Sequence, residues 1–185
     1  MKYYLSILLL SGMIYSQKIL IPMDNNQNDH LKAYGLIFWT LQKEINVDWL
    51  LNYKNGSFII DNKDIINKEA LLRGVTFQPI NINELNQIYA TIDNNNMDII
   101  LLEKAPKIAV YSPKDKQPWD DAVTLALTYA EIDYDMVFDH EVLKGELKNY
   151  DWLHLHHEDF TGQYGKFYKN YRNALWYKKL ESDFN

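Results

Sequence analysis

Three of the five histidines in this chain lie within four residues, at His154, His156 and His157, and the acids Glu158 and Asp159 follow them directly. Residues two apart on a strand face the same side, so His154 and His156 could hold a divalent metal ion together with one of the acids. A metal ion lowers the pKa of a bound water molecule and makes it a nucleophile at neutral pH. This spacing is therefore compatible with a metal-dependent hydrolase.

The same residues have two interpretations that need no metal. His156 or His157 beside Glu158 could act as an oriented general base, because imidazole titrates near neutral pH. We therefore take His156, His157 and Glu158 as candidate catalytic residues and expect no cofactor beyond a divalent metal. Alternatively, His154 is a core histidine and the others only cap the end of a strand. No specific metal signature such as H-E-x-x-H occurs in the chain, so all three interpretations stay open.

The elements that must position this cluster alternate between strands and helices. Short, nearly continuous apolar runs predict buried strands, and apolar residues that recur at spacings of three and four predict helices between them. Strands are predicted over residues 18–23, 47–53, 58–60, 75–80, 97–103, 107–112, 134–138 and 150–157. This alternation predicts an α/β fold with one doubly wound, mainly parallel sheet and helices on both faces.

In an open sheet of this kind, ligands bind in the crevice beyond the carboxyl ends of the strands. Three predicted loops follow such ends, after residues 23, 112 and 157, and they are polar and mostly acidic. We expect these loops to open on one edge of the sheet and to bind a small polar ligand. The candidate ligand-binding residues are Asp24, His30, Lys114, Trp119, Asp120 and Asp159.

The first sixteen residues differ from the rest of the chain. They contain one lysine, an apolar run from Tyr3 to Tyr15 and then Ser16, which is the layout of a secretory signal peptide. The apolar run is shorter than the roughly 20 residues that span a bilayer. We therefore expect residues 1–16 to be a signal peptide and residues 17–185 to form a single domain. After cleavage the protein would be periplasmic or extracellular, without a membrane partner.

Charge and composition exclude several other classes of function. The formal net charge is -6 and no long run of lysine or arginine occurs, so we expect no nucleic-acid partner. The chain has no cysteine, which excludes disulfides, thiolate zinc sites and a cysteine nucleophile within it.

An aromatic stripe near the C-terminus has two interpretations. Its residues recur at helical spacing, and such a stripe more often forms part of a core than a binding surface. As a surface it would suit a non-catalytic exported module that binds a glycan or a protein partner. The stripe consists of Tyr164, Phe167, Tyr168, Tyr171 and Leu175.

Three long strings resemble a family of exported bacterial proteins that are often labelled asparagine synthetase B. They are KILIPMDNNQNDHLKAYGLIFWTLQKEINVDWLLNYKNGSF, LEKAPKIAVYSPKDKQPWDDAVTLALTYAEIDYD and YDWLHLHHEDFTGQYGKFY. The resemblance covers nearly the whole chain from Lys18 onward. The second half is also similar to class I glutamine amidotransferases, which implies a flavodoxin-like doubly wound sheet.

The resemblance further implies that family members continue past Asn185, with a cysteine-containing turn like an amidotransferase nucleophile elbow. We therefore expect this chain to be an incomplete N-terminal portion of an amidotransferase-like protein. Synthetase activity itself is not expected from the residues present. A glutamine-dependent synthetase needs a cysteine directly after the initiator Met, but this chain has Lys2 there. It also needs a pyrophosphate-binding loop that contains a Ser-Gly pair. The one Ser-Gly pair of this chain, Ser11 and Gly12, lies in the predicted signal peptide.

Overall fold

A computed structural model of the chain describes residues 18–112, 122–155 and 163–184. The protein is a mixed α/β protein with two sheets, one antiparallel and one parallel. The chain separates into two compact units, Met1–Lys104 and Ala105–Asn185, which we call the N-terminal unit and the C-terminal unit.

Within its described residues, the N-terminal unit contains a five-stranded sheet, three α-helices and a short 3₁₀ helix. Its elements in chain order are β1 (Lys18–Ile21), α1 (His30–Gln42), β2 (Val47–Leu51), a short 3₁₀ helix (Tyr53–Asn55), β3 (Phe58–Asp61), α2 (Asp64–Arg73), β4 (Gln78–Ile80), α3 (Ile82–Asn94) and β5 (Asp98–Leu102). The strand order is β4-β1-β3-β2-β5, and every neighbouring pair is antiparallel.

This sheet differs from the single, mainly parallel sheet expected from the sequence. β1 and β2 run in the same direction, as the βαβ pattern predicts, but β3 lies between them and pairs antiparallel with both. The hairpin between β2 and β3 turns at Asn55 and Gly56, and Gly56 has a φ of 92°, which glycine adopts without steric cost. The indole N–H of Trp49 donates to the Gly56 carbonyl oxygen at 3.2 Å and holds the turn against β2.

Local signals in the sequence begin and end the helices of this unit. The Asp29 side chain caps α1 by accepting from the Lys32 N–H at 2.9 Å. Asn81 and Glu84 form a reciprocal capping box at the start of α3. Gly74, with a φ of 70°, ends α2 in the left-handed conformation.

The inner strands β1 and β3 of the five-stranded sheet are buried on both faces. One face packs against α3 and forms a cluster that consists of Leu20, Leu50, Ile59, Ile80, Ile88 and Ile92. Successive strand residues point to opposite faces, so Ile19, Ile21 and Ile60 lie on the other face, where they are fully buried. The helices α1 and α2 contact each other and bury Leu36 and Ile66.

A buried amide connects two loops of the N-terminal unit. The Gln27 side chain donates to the carbonyl oxygens of Pro22 at 2.9 Å and Thr76 at 3.2 Å. Its oxygen accepts from the backbone N–H groups of Thr76 at 2.8 Å and Asn28 at 3.1 Å. This one side chain therefore uses both donors and both acceptor positions, as a buried amide must to offset the loss of water.

The C-terminal unit contains a three-stranded sheet in which both pairs are parallel. Its elements are β6 (Ile108–Tyr111), α4 (Ala122–Ala130), β7 (Asp135–Val137), α5 (Asp139–Leu143), a 3₁₀ helix (Glu146–Asn149), β8 (Trp152–Leu155), α6 (Gln163–Tyr171) and α7 (Leu175–Phe184). β6 is the central strand, and its Ile108, Ala109 and Val110 are buried.

The stripe at helical spacing near the C-terminus is divided between two helices, because the chain turns between Tyr171 and Leu175. The rings of Phe167 and Tyr171 pack on each other and on Trp176, with centroids 4.7–5.9 Å apart. Phe167, Tyr168 and Tyr171 nevertheless stay 43–48% exposed, so the interpretation of these rings as core is wrong.

Replacing Gln27 by methionine tests the buried amide, since methionine has a similar shape and makes none of its four hydrogen bonds. We expect the free energy of unfolding to fall by about 2–4 kcal/mol, because buried backbone groups lose their partners. Urea unfolding of the whole chain measures the change. The control is Asn25→Ala in the same loop, at an exposed residue, where the expected change is below about 0.5 kcal/mol. Equal effects of the two substitutions would contradict the role assigned to Gln27.

Candidate functional site

The three parallel strands of the C-terminal unit end together at one edge of their sheet. β6 ends at Tyr111, β7 at Val137 and β8 at Leu155, and the pairing places Tyr111 opposite both of the others. The chain leaves β6 for β7 on one side and then returns to β8 on the other side. In α/β sheets the crevice for a ligand opens at such a reversal, beyond the carboxyl ends of the strands.

Two side chains at this edge are linked by a hydrogen bond. The Tyr111 hydroxyl donates to the carboxylate of Asp139, which is the first residue of α5. The Tyr111 ring also packs on Phe138, with ring centroids 5.3 Å apart. A half-buried tyrosine and a carboxylate are thus held side by side at the end of β6, beside the expected crevice.

Backbone contacts hold the same edge in place. The Ser112 N–H donates to the Val137 carbonyl oxygen at 2.9 Å, and Ser112 is buried immediately after β6. The Phe138 N–H donates to the Glu141 carboxylate at 3.0 Å, which fixes the first turn of α5. The edge therefore presents two acids, Asp139 and Glu141, on a short helix whose start is tied to β7.

His154 lies inside β8, opposite Val110 in the register, and is half-buried. No group of three or more histidine, cysteine, aspartate or glutamate side chains could share a metal ion within residues 18–112, 122–155 and 163–184. His156, the second metal ligand proposed beside His154, lies outside those ranges, so the metal interpretation stays a prediction.

Most of the other candidate residues also lie outside the described residues. These are the candidate catalytic residues His156, His157 and Glu158, and the candidate ligand-binding residues Lys114, Trp119, Asp120 and Asp159. Along the chain, the three candidate catalytic residues and Asp159 come after β8. Lys114, Trp119 and Asp120 come after β6. β6 and β8 are the two strands that flank the reversal.

Asp24 and His30 follow β1, a strand of the antiparallel sheet. The sequence did not predict that these two residues belong to a different sheet from the other candidates. Asp24 accepts from the backbone N–H of Asn26 at 3.0 Å and from its amide at 2.9 Å. The backbone hydrogen bond is the main reason that the pKa of Asp24 lies below its usual value. His30 lies at the start of α1, and its Nε2 donates to the Met23 carbonyl oxygen at 3.1 Å.

The common edge expected for all three loops is therefore not found. Asp24 and His30 follow β1, which belongs to the five-stranded antiparallel sheet, whereas the other candidates follow β6 and β8 of the parallel sheet. In an antiparallel sheet, neighbouring strands end at opposite edges, so the rule that collects loops at one edge applies to the second sheet alone.

The opposite edge of the parallel sheet carries a structural charge cluster. Lys107, just before β6, lies 3.9 Å from the carboxylate of Asp135 and 4.7 Å from the ring centroid of Tyr150. Burial, together with a hydrogen bond to Asp135, raises the pKa of Tyr150. The backbone N–H of Lys107 also donates to the Asp151 carboxylate at 2.9 Å. These groups satisfy one another at the amino ends of the strands, away from the expected crevice.

At the carboxyl edge of the parallel sheet, Tyr111 and Asp139 are residues that the sequence analysis did not single out. Each lies at or just after the carboxyl end of a strand, so the rule applied to the histidines could have found them. They were missed because an isolated tyrosine and aspartate form no recognisable motif.

Comparisons with family models, with curated proteins and with solved structures find no match to this chain. Among the described helices, none is long and apolar enough to cross a membrane. The interpretation of the site therefore depends on the geometry of the chain itself.

Replacing Tyr111 by phenylalanine removes the hydroxyl that binds Asp139 and keeps the ring that packs on Phe138. We expect the free energy of unfolding to fall by about 1–3 kcal/mol, because a hydrogen bond to a charged acceptor is lost. Tyr134→Phe is the matched control, since that hydroxyl lies 3.3 Å from the Thr128 hydroxyl in an exposed contact. Chemical denaturation of both variants measures the difference, and a loss no larger than that of Tyr134→Phe would show that the Asp139 contact adds nothing.

Proposed function

We propose that this chain is an exported α/β protein that binds a small polar ligand at the carboxyl edge of its parallel sheet. The observation that carries the proposal is the strand order β7-β6-β8, in which the chain reverses at β6. The candidate catalytic residues His156, His157 and Glu158 would then act where the chain leaves β8.

The chemistry of the described edge favours a ligand that donates hydrogen bonds or carries positive charge. Asp139 and Glu141 are acids on the first turn of α5, and both side chains accept hydrogen bonds from the protein. The loops that follow β6 and β8 add Asp120, Glu158 and Asp159 in the sequence. An ammonium or amide group would be attracted to this arrangement, so an amino acid or amide is the class of ligand that we propose.

We also propose that the C-terminal unit begins a doubly wound, flavodoxin-like sheet of the amidotransferase type. In that topology the first strand lies between the second and the third, as β6 lies between β7 and β8. The quoted strings support membership of the exported family labelled asparagine synthetase B. Synthetase activity is not part of the proposal, because the chain contains no cysteine.

A second candidate function is binding of a partner or glycan by the aromatic rings of α6 and α7. The observation that favours it is the exposure of Phe167, Tyr168 and Tyr171 noted above. Aromatic faces of this kind can stack on sugar rings or pack in a protein interface. The two candidates use different elements, so substitutions can separate them.

The proposed ligand site predicts binding of an amide or amino acid that depends on the histidines. The probes are L-glutamine, L-asparagine and ammonium chloride, added to the whole chain while the thermal midpoint and the heat of binding are measured. We expect at least one probe to bind and the double variant His156→Ala, His157→Ala to lose about tenfold or more in affinity. Asp139→Asn should weaken the same probe, because it removes one of the two acidic charges on α5.

The control is Asp93→Asn, which removes an exposed acid on α3 in the other unit. Binding that is unchanged in the histidine variant and in Asp139→Asn would overturn the proposal. The aromatic surface is tested by Phe167→Ala and Trp176→Ala, which should leave binding of these probes unchanged if the histidine edge is the site.

A further inference from the structure

We propose that the N-terminal unit has a second binding site, a cleft between α3 and the sheet that takes a zwitterion of the free α-amino acid class. The cleft has a volume of about 290 Å³, at the lower limit of the roughly 300–1,000 Å³ typical of ligand sites. Its lining residues are Leu20, Tyr53, Lys54, Gln78, Ile80, Glu84, Gln87, Ile88 and Thr91. The site belongs to the other unit and does not depend on the function proposed above.

The floor of this cleft is apolar and rigid. Leu20, Ile80 and Ile88 line it, and all three belong to the buried cluster under α3. The ring of Tyr53 packs against the same cluster. A small ligand would therefore rest on well-packed side chains of β1, β4 and α3, which lowers the entropic cost of ordering a site.

The walls carry polar groups that form no hydrogen bond or ion pair with another described residue, although the charge of Lys54 also acts on the nearby carboxylate of Asp24. Within the part of the chain that the structure describes, no hydrogen bond or ion pair engages the Tyr53 hydroxyl, the Lys54 ammonium or the side-chain amides of Gln78 and Gln87. Burial, and then the charge of Asp24, raise the pKa of Tyr53 further above neutral pH, so its hydroxyl is a donor. A few polar groups that are free to bind, around an apolar floor, are typical of a small-molecule site.

The charges in the cleft have both signs. Lys54 and Glu84 both line the cleft, and the two form no ion pair with each other. One oxygen of Glu84 accepts from the Asn81 N–H at 2.7 Å, which fixes the carboxylate and leaves its other oxygen available. A carboxylate on the ligand would meet Lys54 and an ammonium would meet Glu84, so a zwitterion satisfies both charges at once.

Lys54 is also held in an unusual backbone conformation. Its φ is 43° and its ψ is 50°, and its neighbours Asn52 and Asn55 have φ values of 64°. The left-handed region is costly for a lysine, and such strain persists only where surrounding contacts impose it. Here the Lys54 carbonyl oxygen accepts from the Met23 N–H at 3.3 Å and the Ser57 hydroxyl at 3.2 Å. The hairpin thus holds Lys54 at the cleft in a strained backbone conformation. A role for Lys54 as a positioned cation would explain why this strain is retained.

Titration of the whole, ¹⁵N-labelled chain with L-alanine and L-glutamine tests this site. We expect amide resonances of residues 53, 54, 78, 84 and 87 to shift in a saturable way. Propanoate and ethylamine, which each keep one charged group of L-alanine, should bind at least about tenfold more weakly, because each leaves one charged side chain unpaired. Equal binding of a single-charge analogue would overturn the zwitterion assignment.

Two conservative variants locate the site. Lys54→Gln and Glu84→Gln each remove one charge, and glutamine at position 84 still satisfies the capping box of α3. Each should weaken L-amino-acid binding about tenfold or more, while Lys68→Gln, an exposed lysine of α2, should leave it unchanged. The double variant His156→Ala, His157→Ala should not alter these shifts. The proposal is wrong if the amino acids leave the cleft resonances unmoved, or if Lys54→Gln and Lys68→Gln bind alike.

Discussion

Parallel hydrogen bonding of β6 to a strand on each side is the constraint on which the candidate functional edge depends. Because β7 and β8 both run parallel to β6, all three strands end at the same edge. That common edge brings Tyr111 beside Asp139, and it gives the loops after β6 and β8 a shared place to begin. If either strand were antiparallel, its following loop would leave from the other edge and the crevice would not form.

The N-terminal unit also consists of strands and helices, but its sheet is antiparallel. Its antiparallel strands leave no common carboxyl edge, so the cleft there lies between a helix and the face of the sheet. The hairpin after β2 serves both folding and the cleft, because its left-handed residues turn the chain and include Lys54, which lines the cleft. The Gln27 side chain lies in the loop after β1 and links it by hydrogen bonds to the loop after α2.

Several features could be predicted from the sequence because their causes are local. The strands and helices were predicted near their observed positions, since apolar spacing determines which face of an element can be buried. The hairpin at Asn55 and Gly56 has a local cause of the same kind, because an Asn-Gly pair between two apolar runs favours a tight turn. Two strands joined by a tight turn are antiparallel, so this pair requires an exception within a mainly parallel sheet.

The sequence by itself determined the elements of this protein, its lack of cysteine chemistry and its acidic charge, because composition and short-range spacing suffice for these. Only the tertiary structure decided that β3 enters between β1 and β2 and that the strands form two sheets. It also brought Lys54, Gln78 and Glu84 to one cleft, although they come from a hairpin, an edge strand and a helix. The physical reason is that strand pairing joins residues far apart in the chain, and alternating patterns of strands and helices are compatible with more than one pairing.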